Sequence, residues 1–422
     1  MGNGTKRNYA VIIAATISLS CVFAAHGTKS GKPELVKYQS CNGLVLTGYQ
    51  GWFNTPDDGA GLGWKHYQKS GKFQPGYCTI DLWPDVSDYP KTYPSPFVHA
   101  DGRPAHVFSS HDESTIDLHF NWMKQYGIDG AFMQRFLTSI RNPRHLENSD
   151  HILMHALDAA EKYGRGICVM YDLSGMQAGE ERIVIEDWKR LTREANCITS
   201  RKDNHYIHHN GKPLVGVWGV GFSNGRAYNF DHIERIVDFL LDEGCGILLG
   251  VPARWRTLTG DALGDVRLHE MIRKCDIVLP WLVGRFNMTS YARFQQEIVQ
   301  DIEWCDKNGV DYLPVLYPGF SWHNLQQGAA PSDAIPRLGG RFFWAQAAGA
   351  VQAGAKSFYL AMFDEIDEGT AFFKCTNDPP VGLSPFVSYE GLPTDHYLWL
   401  AGQAALMLRG EKPVSTELPA RK

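Results

Sequence analysis

The 422-residue chain carries a net charge of −5, with 44% hydrophobic and 21% charged residues, which is typical of a globular protein with a large core. Without a basic excess to neutralise phosphates, nucleic acid is excluded as its natural partner. The nine cysteines form no CxxC pair, so their spacing argues against a metal site, and it leaves any disulfide pairing open.

Residues 1–25 are predicted to be an export signal. Lys6 and Arg7 precede a largely apolar run over 9–25, and residues 22–24 form a candidate cleavage site. Cys21 is a candidate for a lipid anchor. The run is short for a membrane span, and no other segment approaches spanning length. We therefore expect an exported protein (periplasmic, cell-surface or extracellular) without a membrane span, followed by a polar tether over 26–43.

Beyond the tether, apolar strand patterns alternate with amphipathic helix patterns. Strands are predicted at 44–53, 130–136, 166–173, 213–219, 246–251, 276–283, 312–318 and 357–363. Helices are predicted at 115–126, 150–163, 185–195, 232–241, 268–274, 291–308, 341–353 and 397–409. Parallel strands need helical crossovers, so this order predicts α/β architecture with a single (β/α)8 TIM barrel over 44–412. Residues 413–422 are predicted to be a C-terminal tail.

Residues 54–104 are rich in Gly, Pro, Asp and Tyr and show only weak periodicity. No apolar face in this segment is large enough to close on its own. We therefore predict long loops at the carboxyl face of the barrel rather than a separate domain.

Side chains at the carboxyl ends of barrel strands face the active site in this architecture. These positions predict substrate-binding residues, which are Tyr49, Gln50, Trp52, Gln134, Arg135, Tyr171, Asp172, Trp218, Arg254, Trp281, Tyr317, Trp322, His323, Asp364 and Asp367. Aromatic faces stack on pyranose rings while polar groups pair with hydroxyls, so the mixture indicates a sugar site. For each aromatic residue, plugging the barrel is the structural alternative.

The eighth predicted strand runs directly into four carboxylates within five residues, Asp364, Glu365, Asp367 and Glu368. Residues three apart on a strand point to opposite faces. For both glutamates to converge on one substrate, the strand must therefore end near Glu365 and the chain must turn. Gly369 supplies the conformational freedom for that turn.

Two kinds of chemistry account for such a cluster. Crowding raises the pKa of one carboxyl group so that it stays protonated while its neighbour ionises, which suits general acid/base catalysis. Several carboxylate oxygens also suit a hard cation such as calcium. The spacing does not match the calcium-loop pattern, which favours acid/base chemistry without a metal or cofactor.

The run EIDEGT at 365–370 resembles the E-x-x-E-G-T signature of glycoside hydrolase family 99, the endo-α-1,2-mannosidases and mannanases. Residues 111–132 also resemble the first helix and second strand of that family, and residues 49–53 resemble its first-strand motif more loosely. The chain is similar, more generally, to secreted bacterial proteins described as family 71/99-like. The resemblance spans residues 45–410.

This resemblance implies a (β/α)8 barrel and metal-free hydrolysis that retains anomeric configuration. Glu365 would act on the sugar 2-hydroxyl, so that O2 attacks C1 and an anhydro sugar forms. Glu368 would protonate the leaving oxygen and then activate water. The substrate would be an α-linked, mannose-like oligosaccharide or polysaccharide cleaved by endo action.

The chain departs from the family pattern in its extra acids, Asp364 and Asp367, and in the residues 134–136 at the end of the second strand, which include Arg135. Arg135 and Arg254 are predicted either to meet an anionic sugar or to form salt bridges with those two acids. A non-catalytic or metal-dependent glycan-binding barrel is the alternative function. It would be favoured if a salt bridge to Arg135 or Arg285 held one of the glutamates.

Overall fold

The computed structural model describes residues 1–2, 38–194, 198–199 and 205–421, and its strands are short and mostly buried. In chain order the strands are β1 Val45–Tyr49, β2 Tyr93–Val98, β3 Pro104–Val107, β4 Gly130–Phe136, β5 Gly166–Asp172, β6 His208–His209, β7 Lys212–Trp218, β8 Gly246–Pro252, β9 Ile277–Trp281, β10 Asp311–Tyr312, β11 Val315–Leu316 and β12 Phe358–Leu360. Every residue of β1, β5 and β8 is buried, as expected of strands covered on both faces.

Helices connect successive parallel strands, and one more helix follows the last strand. They are α1 Glu113–Gln125, α2 Leu137–Ile140, α3 Pro143–Tyr163, α4 Glu181–Lys189, α5 Phe230–Asp242, α6 Arg267–Lys274, α7 Tyr291–Asn308, α8 Arg341–Gln352 and α9 His396–Leu408. A π-helical turn at Arg190–Glu194 extends α4, and a 3-10 turn at Leu338–Gly340 precedes α8. Asn142 caps α3, whose first residue is Pro143, and so the helix begins earlier than its apolar periodicity predicts.

One sheet organises these elements, with the strand order β10-β9-β8-β7-β5-β4-β1-β12-β11. All neighbouring strands along this path are parallel, and β6 pairs with β7 in the antiparallel sense. The predicted parallel α/β architecture is thereby confirmed. The two ends of the path, β10 and β11, are separated along the chain only by Leu313 and Pro314.

The structure differs from the predicted strands in three places. The seventh predicted strand is split into β10 and β11 because Pro314 has no N–H to donate to a ladder. The eighth ends at Leu360 rather than at residue 363. Within the segment predicted as loops, β2 and β3 form an antiparallel hairpin, whose prolines at 94 and 96 hide its strand character.

The end of the predicted tether packs on the domain, because Tyr38 and Cys41 are buried and the Tyr38 hydroxyl donates to the Gly164 carbonyl. The predicted export signal, from residue 3 onward, and Cys21 within it lie outside the described residues. Within those residues, no helix combines the length and apolar character needed to cross a membrane. The cysteines that the structure describes are free and buried.

Arg135 lies on β4 with its side chain 1% exposed, and it points towards the helices. Its guanidinium donates to both carboxylate oxygens of Asp187 on α4, at 2.7 and 2.6 Å, and to Asp150 on α3 at 3.0 Å. The predicted salt bridge from Arg135 to Asp364 or Asp367 is therefore wrong. Alternate residues of a strand face opposite ways, and Arg135 is on the outer face.

Replacing Asp187 by alanine is expected to lower the free energy of unfolding by about 3–5 kcal/mol, because the buried Arg135 would lose its two-oxygen partner and keep only Asp150, which is 27% exposed. Urea unfolding followed by circular dichroism measures the change. Asp101→Ala is the matched control, since Asp101 pairs with Arg103 at the exposed surface, and its unfolding midpoint should hardly move. Equal losses for the two variants would contradict a structural role for the buried pair.

Candidate active site

The acid-rich segment follows β12 and is folded as a compact turn. The chain leaves the sheet after Leu360, passes a cis peptide bond between Ala361 and Met362, and turns over residues 366–369. Gly369 has a φ of 62°, and a Cβ placed there would lie 2.9 Å from the Ser321 backbone nitrogen. That nitrogen donates to the Glu368 carbonyl at 2.9 Å. Only glycine meets both the backbone conformation and the close approach.

Asp364 anchors this turn to the end of β1. One of its carboxylate oxygens accepts the backbone N–H of Gln50 at 2.8 Å and the other accepts that of Gly51 at 2.9 Å. The side chain is fully buried, and burial raises its pKa to about 7 against the opposing effect of the two N–H donors. Asp364 therefore positions the turn and does not open on the pocket described below.

Asp367 supports an aromatic wall. Its Oδ2 lies 3.4 Å from Nδ1 of His66, whose ring stacks on Trp52 with centroids 3.8 Å apart and planes 5° apart. The other oxygen, Oδ1, is buried and has no hydrogen-bond partner among the described residues. The predicted salt bridges from an arginine to Asp364 or Asp367 are absent in the described part of the chain, where Arg254 pairs instead with Glu297 at 2.7 Å.

Glu365 and Glu368 both line one pocket, which has a volume of about 190 Å³. The Gln50 side-chain amide donates to Oε1 of Glu365 at 2.5 Å, and the Thr370 hydroxyl donates to Oε2 at 2.7 Å. Neither glutamate forms a salt bridge with any residue that the structure describes, and Arg285 pairs with Asp261 instead. The arrangement that would favour a purely binding barrel is therefore not found among these residues.

Burial and neighbouring negative charges raise the pKa of both glutamates. For Glu365, burial is the largest cause, followed by the charges of Glu368 and Asp367, while Thr370 and Gln50 oppose them. For Glu368, burial is followed by the charges of Asp367 and Asp172. Neighbouring negative charges in a buried pocket disfavour ionisation of both carboxyl groups. The two glutamates therefore keep a proton at pH values where an ordinary glutamate is ionised.

The pocket is walled by aromatic and sulfur-containing side chains with a few polar groups between them. Its lining comprises Gln50, Trp52, Gln134, Phe136, Met170, Asp172, Ser174, Trp218, Trp281, Tyr359, Met362, Glu365 and Glu368. At its floor, the Tyr359 hydroxyl accepts a hydrogen bond from the Gln134 amide at 3.1 Å. A Cβ at position 48 would lie 2.1 Å from the Met362 methyl and 2.2 Å from that hydroxyl, so Gly48 makes room for the floor.

Part of the predicted set of site residues meets at this pocket. The residues it brings together are Gln50, Trp52, Gln134, Asp172, Trp218, Trp281, Glu365 and Glu368. Phe136, Met170, Ser174, Tyr359 and Met362 line it as well and were not predicted. Strand alternation is the signal that could have found two of them, because Phe136 is two residues from Gln134 and Met170 is two residues from Asp172.

The same alternation explains why Tyr171 and Arg135 lie outside the pocket. The Tyr171 hydroxyl donates to Asp187 at 2.8 Å, on the helix side of the sheet. Tyr49 and Tyr317 are also fully buried away from the pocket, the first with its hydroxyl 2.9 Å from His119 Nδ1 and the second donating to the Phe286 carbonyl at 2.5 Å.

The remaining predicted residues lie on loops beyond the pocket lining. The Trp322 ring is 36% exposed and packs against Phe320. His323 has its Nδ1 2.7 Å from the Ala330 carbonyl, and its backbone N–H donates to Asp81. Across the described residues, no group of three or more His, Cys, Asp or Glu side chains is arranged to hold a metal ion.

Solved structures of glycoside hydrolases share this fold. The GH99 endo-alpha-mannosidase from Bacteroides thetaiotaomicron is 15% identical, with a TM-score of 0.63 over 88% of this chain and 99% of that chain. The same enzyme in complex with Bis-Tris propane is 14% identical, with a TM-score of 0.61 and the same coverage. A glycoside hydrolase-like protein is 13% identical, with a TM-score of 0.51 over 89% of this chain and 97% of that chain.

The sequence matches no family model and no curated protein. The likeness therefore establishes the fold, which is that of the GH99 endo-alpha-mannosidase over most of both chains. The resemblance predicted from the EIDEGT run is confirmed at this level. What this chain does with that fold depends on the pocket.

Glu368→Gln is expected to raise the free energy of unfolding at pH 8 and to leave it unchanged at pH 4. The pKa of Glu368 is about 7 in the folded protein, above its ordinary value of 4.5. Between these two pH values the unfolded chain loses the proton while the folded protein keeps it, so wild type loses stability as pH rises from 4.5 to about 7. The loss amounts to about 1.4 kcal/mol for each unit of pKa shift. Urea unfolding at both pH values measures it.

Glu113→Gln is the control for this measurement, because the Glu113 side chain is 77% exposed. It should show no such pH-dependent difference. A Glu368→Gln protein that is less stable than wild type at pH 8 would contradict the raised pKa of Glu368.

Proposed function

We propose that this protein is a glycoside hydrolase that cleaves an α-linked, mannose-like glycan with retention of configuration, using Glu365 and Glu368. The observation that carries the proposal is that both glutamates open on one aromatic-walled pocket with raised pKa values and no cationic partner among the described residues. Buried, unpaired carboxyls destabilise a fold, so a pocket that keeps them indicates function.

We also infer that the sheet closes as a (β/α)8 barrel. The backbone N–H of Leu313 donates to the Val278 carbonyl, and that of Tyr359 donates to the Pro314 carbonyl. The segment between β10 and β11 thus bonds both to β9 and to β12, the strands next to the two ends of the path. Closure would gather the carboxyl ends of all the strands at one mouth, where the active sites of such barrels lie.

The proton shared by the pair is assigned by the hydrogen bonds. Glu365 accepts hydrogen bonds from the Gln50 amide and the Thr370 hydroxyl, which favour its ionised form. The Glu368 side chain has no such donor among the described residues and faces the negative charges of Asp367 and Asp172. On these contacts we assign Glu365 as the base and Glu368 as the acid, although burial and the charges of Glu368 and Asp367 also raise the pKa of Glu365 well above its ordinary value.

These states fit the chemistry implied by the resemblance to family 99. Glu365 takes the proton of the sugar 2-hydroxyl as O2 attacks C1, while Glu368 gives its proton to the departing glycosidic oxygen. Glu368 then takes a proton from the water that opens the anhydro sugar at C1, and Glu365 returns its proton to O2. Two inversions at C1 give net retention, and no carboxylate bonds to the sugar, unlike the usual retaining arrangement.

The walls of the pocket support a sugar substrate. The rings of Trp52, Phe136, Trp218 and Trp281 offer apolar faces to a pyranose. The indole N–H groups of Trp52 and Trp218 are buried without partners among the described residues, as is Oε1 of Gln50. Sugar hydroxyls would satisfy these groups. The endo-alpha-mannosidase activity named for the similar structure supports endo action on a mannose-like glycan.

We propose that the protein is exported, on the basis of the basic and apolar N-terminal pattern over residues 6–25. Outside the cell, its substrate would be an oligosaccharide or polysaccharide.

Glu368→Gln is expected to reduce the release of reducing ends from α-mannans by at least about 10²-fold, because the leaving oxygen would lack its acid. Glu365→Gln should lose activity similarly, and Glu113→Gln should match wild type. Each assay is run with and without a chelator, which should leave the rate unchanged. Inhibition by the chelator would favour a metal-dependent protein, and tight binding without release would leave a carbohydrate-binding barrel.

An oligosaccharide methylated at O2 of the sugar that is cleaved should not be hydrolysed by the wild-type protein, because O2 would have no proton for Glu365 to take. The matched unmethylated oligosaccharide is the control, and reducing-end assays measure both. Competition binding to the Glu368→Gln protein shows whether the methylated compound enters the site. Hydrolysis of the methylated compound would contradict 2-hydroxyl participation while leaving a glycosidase.

A further inference from the structure

Two cavities near the glutamate pocket are linked to it by shared lining residues along the loop that follows β7. The pocket shares Ser174 with a second cavity, which also contains Arg226. Arg226 in turn lines a third cavity, of about 430 Å³, between the loops after β7 and β8. A bound chain longer than one sugar can therefore run from Glu365 and Glu368 past Ser174 to Arg226.

Arg226 is a cation without a carboxylate partner in the described part of the chain, since no described acid lies within 4.0 Å of its nitrogens. The arginines on the neighbouring loops differ in this respect. Arg254 pairs with Glu297, Arg256 with Asp301 and Arg285 with Asp261. The charge of Arg226 is thus available to a ligand while those of its neighbours are already compensated.

The guanidinium is held in place by aromatic rings and two well-formed hydrogen bonds. Its carbon lies 5.3 Å from the ring centre of Trp218, 5.0 Å from that of Phe222 and 5.8 Å from that of Tyr228. Nε donates to Asn224 and Nη1 to the Tyr228 hydroxyl, each at 3.0 Å. Nη2 makes no hydrogen bond to a described residue. A fixed guanidinium plane with a free donor edge suits an oxyanion, which it can bind with little loss of side-chain entropy.

The charges around Arg226 leave this site positive. Asp265 lines the same cavity, but it accepts hydrogen bonds from the backbone and guanidinium of Arg267. Asp172 is buried and accepts the backbone N–H of Ser174 at 2.7 Å, and its charge interacts with that of Arg226 from beyond ion-pair distance. Trp218 joins the two regions, because its ring lies beneath Arg226 and also lines the glutamate pocket.

We propose that Arg226 forms an anionic subsite, which binds a sulfate, phosphate or carboxylate substituent on a sugar next to the one held by Glu365 and Glu368. This proposal rests on the proposed function, and it specifies the substrate as an acidic α-linked glycan. Neither Arg135 nor Arg254, which the sequence indicated for this task, is free to take it.

Calorimetric titration of the Glu368→Gln protein with matched α-linked manno-oligosaccharides tests the proposal. One is neutral, and the others carry a single sulfate ester, phosphate ester or uronate carboxylate on the neighbouring sugar. We expect at least one acidic ligand to bind about tenfold or more tightly than the neutral ligand, and this preference should shrink as salt is raised. The three acidic arms distinguish which oxyanion the site prefers.

Arg226→Gln in the same background should abolish the preference and leave binding of the neutral ligand unchanged. Arg226→Lys keeps the charge without the fork of donors and should retain part of the preference. Arg285→Gln is the matched control, because it removes one positive charge at a paired position and should keep the preference intact. Thermal unfolding of each variant checks that it is folded.

Equal affinity for neutral and acidic ligands would overturn the anionic subsite, as would an equal loss of affinity for all ligands in Arg226→Gln. Hydrolysis of the neutral oligosaccharide by wild type would in that case leave the proposed function standing. Selective binding of an acidic oligosaccharide that wild type does not cleave would instead support the subsite and overturn the hydrolase. A protein that binds none of these ligands would overturn both.

Discussion

The hydrogen bonds from the backbone of Gln50 and Gly51 to Asp364 are the constraint on which the site depends. They join the end of the first sheet strand to the segment after the last, two regions that are more than 300 residues apart in the chain. This contact places the Gln50 side-chain amide within hydrogen-bond distance of Glu365, the residue after Asp364. Glu365 therefore lines the pocket. The pair of glutamates is therefore positioned by an acid that does not itself reach the substrate.

Concentrating four carboxyls in one turn is unfavourable for folding, and the structure distributes them among different tasks. Asp364 accepts hydrogen bonds from two backbone N–H groups, and Asp367 faces His66 behind the Trp52 ring. Of the four, only Glu365 and Glu368 line the pocket, where burial and the charge of Asp367 raise the pKa of both. The two extra acids, which depart from the family 99 pattern, thus contact the residues around the pocket, and Asp367 also raises the pKa of both glutamates.

Alternate side chains at the ends of β4 and β5 face either the pocket or the helices behind the sheet. Gln134 and Phe136 face the pocket while Arg135 between them neutralises Asp187 and Asp150 behind the sheet. Met170 and Asp172 flank Tyr171 in the same way. The Arg135 charge buried behind the sheet is paired with carboxylates, whereas Arg226, on the loop after β7, is supported by aromatic rings and by hydrogen bonds to neutral groups. A cation in that position contributes little to the fold and is suited to recognition.

The order of strands and helices and the acidic segment after the last strand were determined by the sequence itself. Apolar runs and amphipathic periods are local properties, and a parallel sheet with helical crossovers follows from them. The EIDEGT run likewise carried the resemblance that the fold bears out. Local patterns failed where pairing or proline mattered, as in the hairpin of β2 and β3 and the interruption at Pro314.

Which acids and aromatics meet in the pocket was decided only by the tertiary structure. The four carboxyls are equivalent in the sequence, and their roles differ because Gln50, Gly51, Thr370 and His66 approach particular ones of them. The same holds for the arginines, since Arg135 and Arg254 find carboxylates on neighbouring helices and Arg226 does not. A charge becomes a site or a structural pair according to its partners, and those partners come from distant parts of the chain.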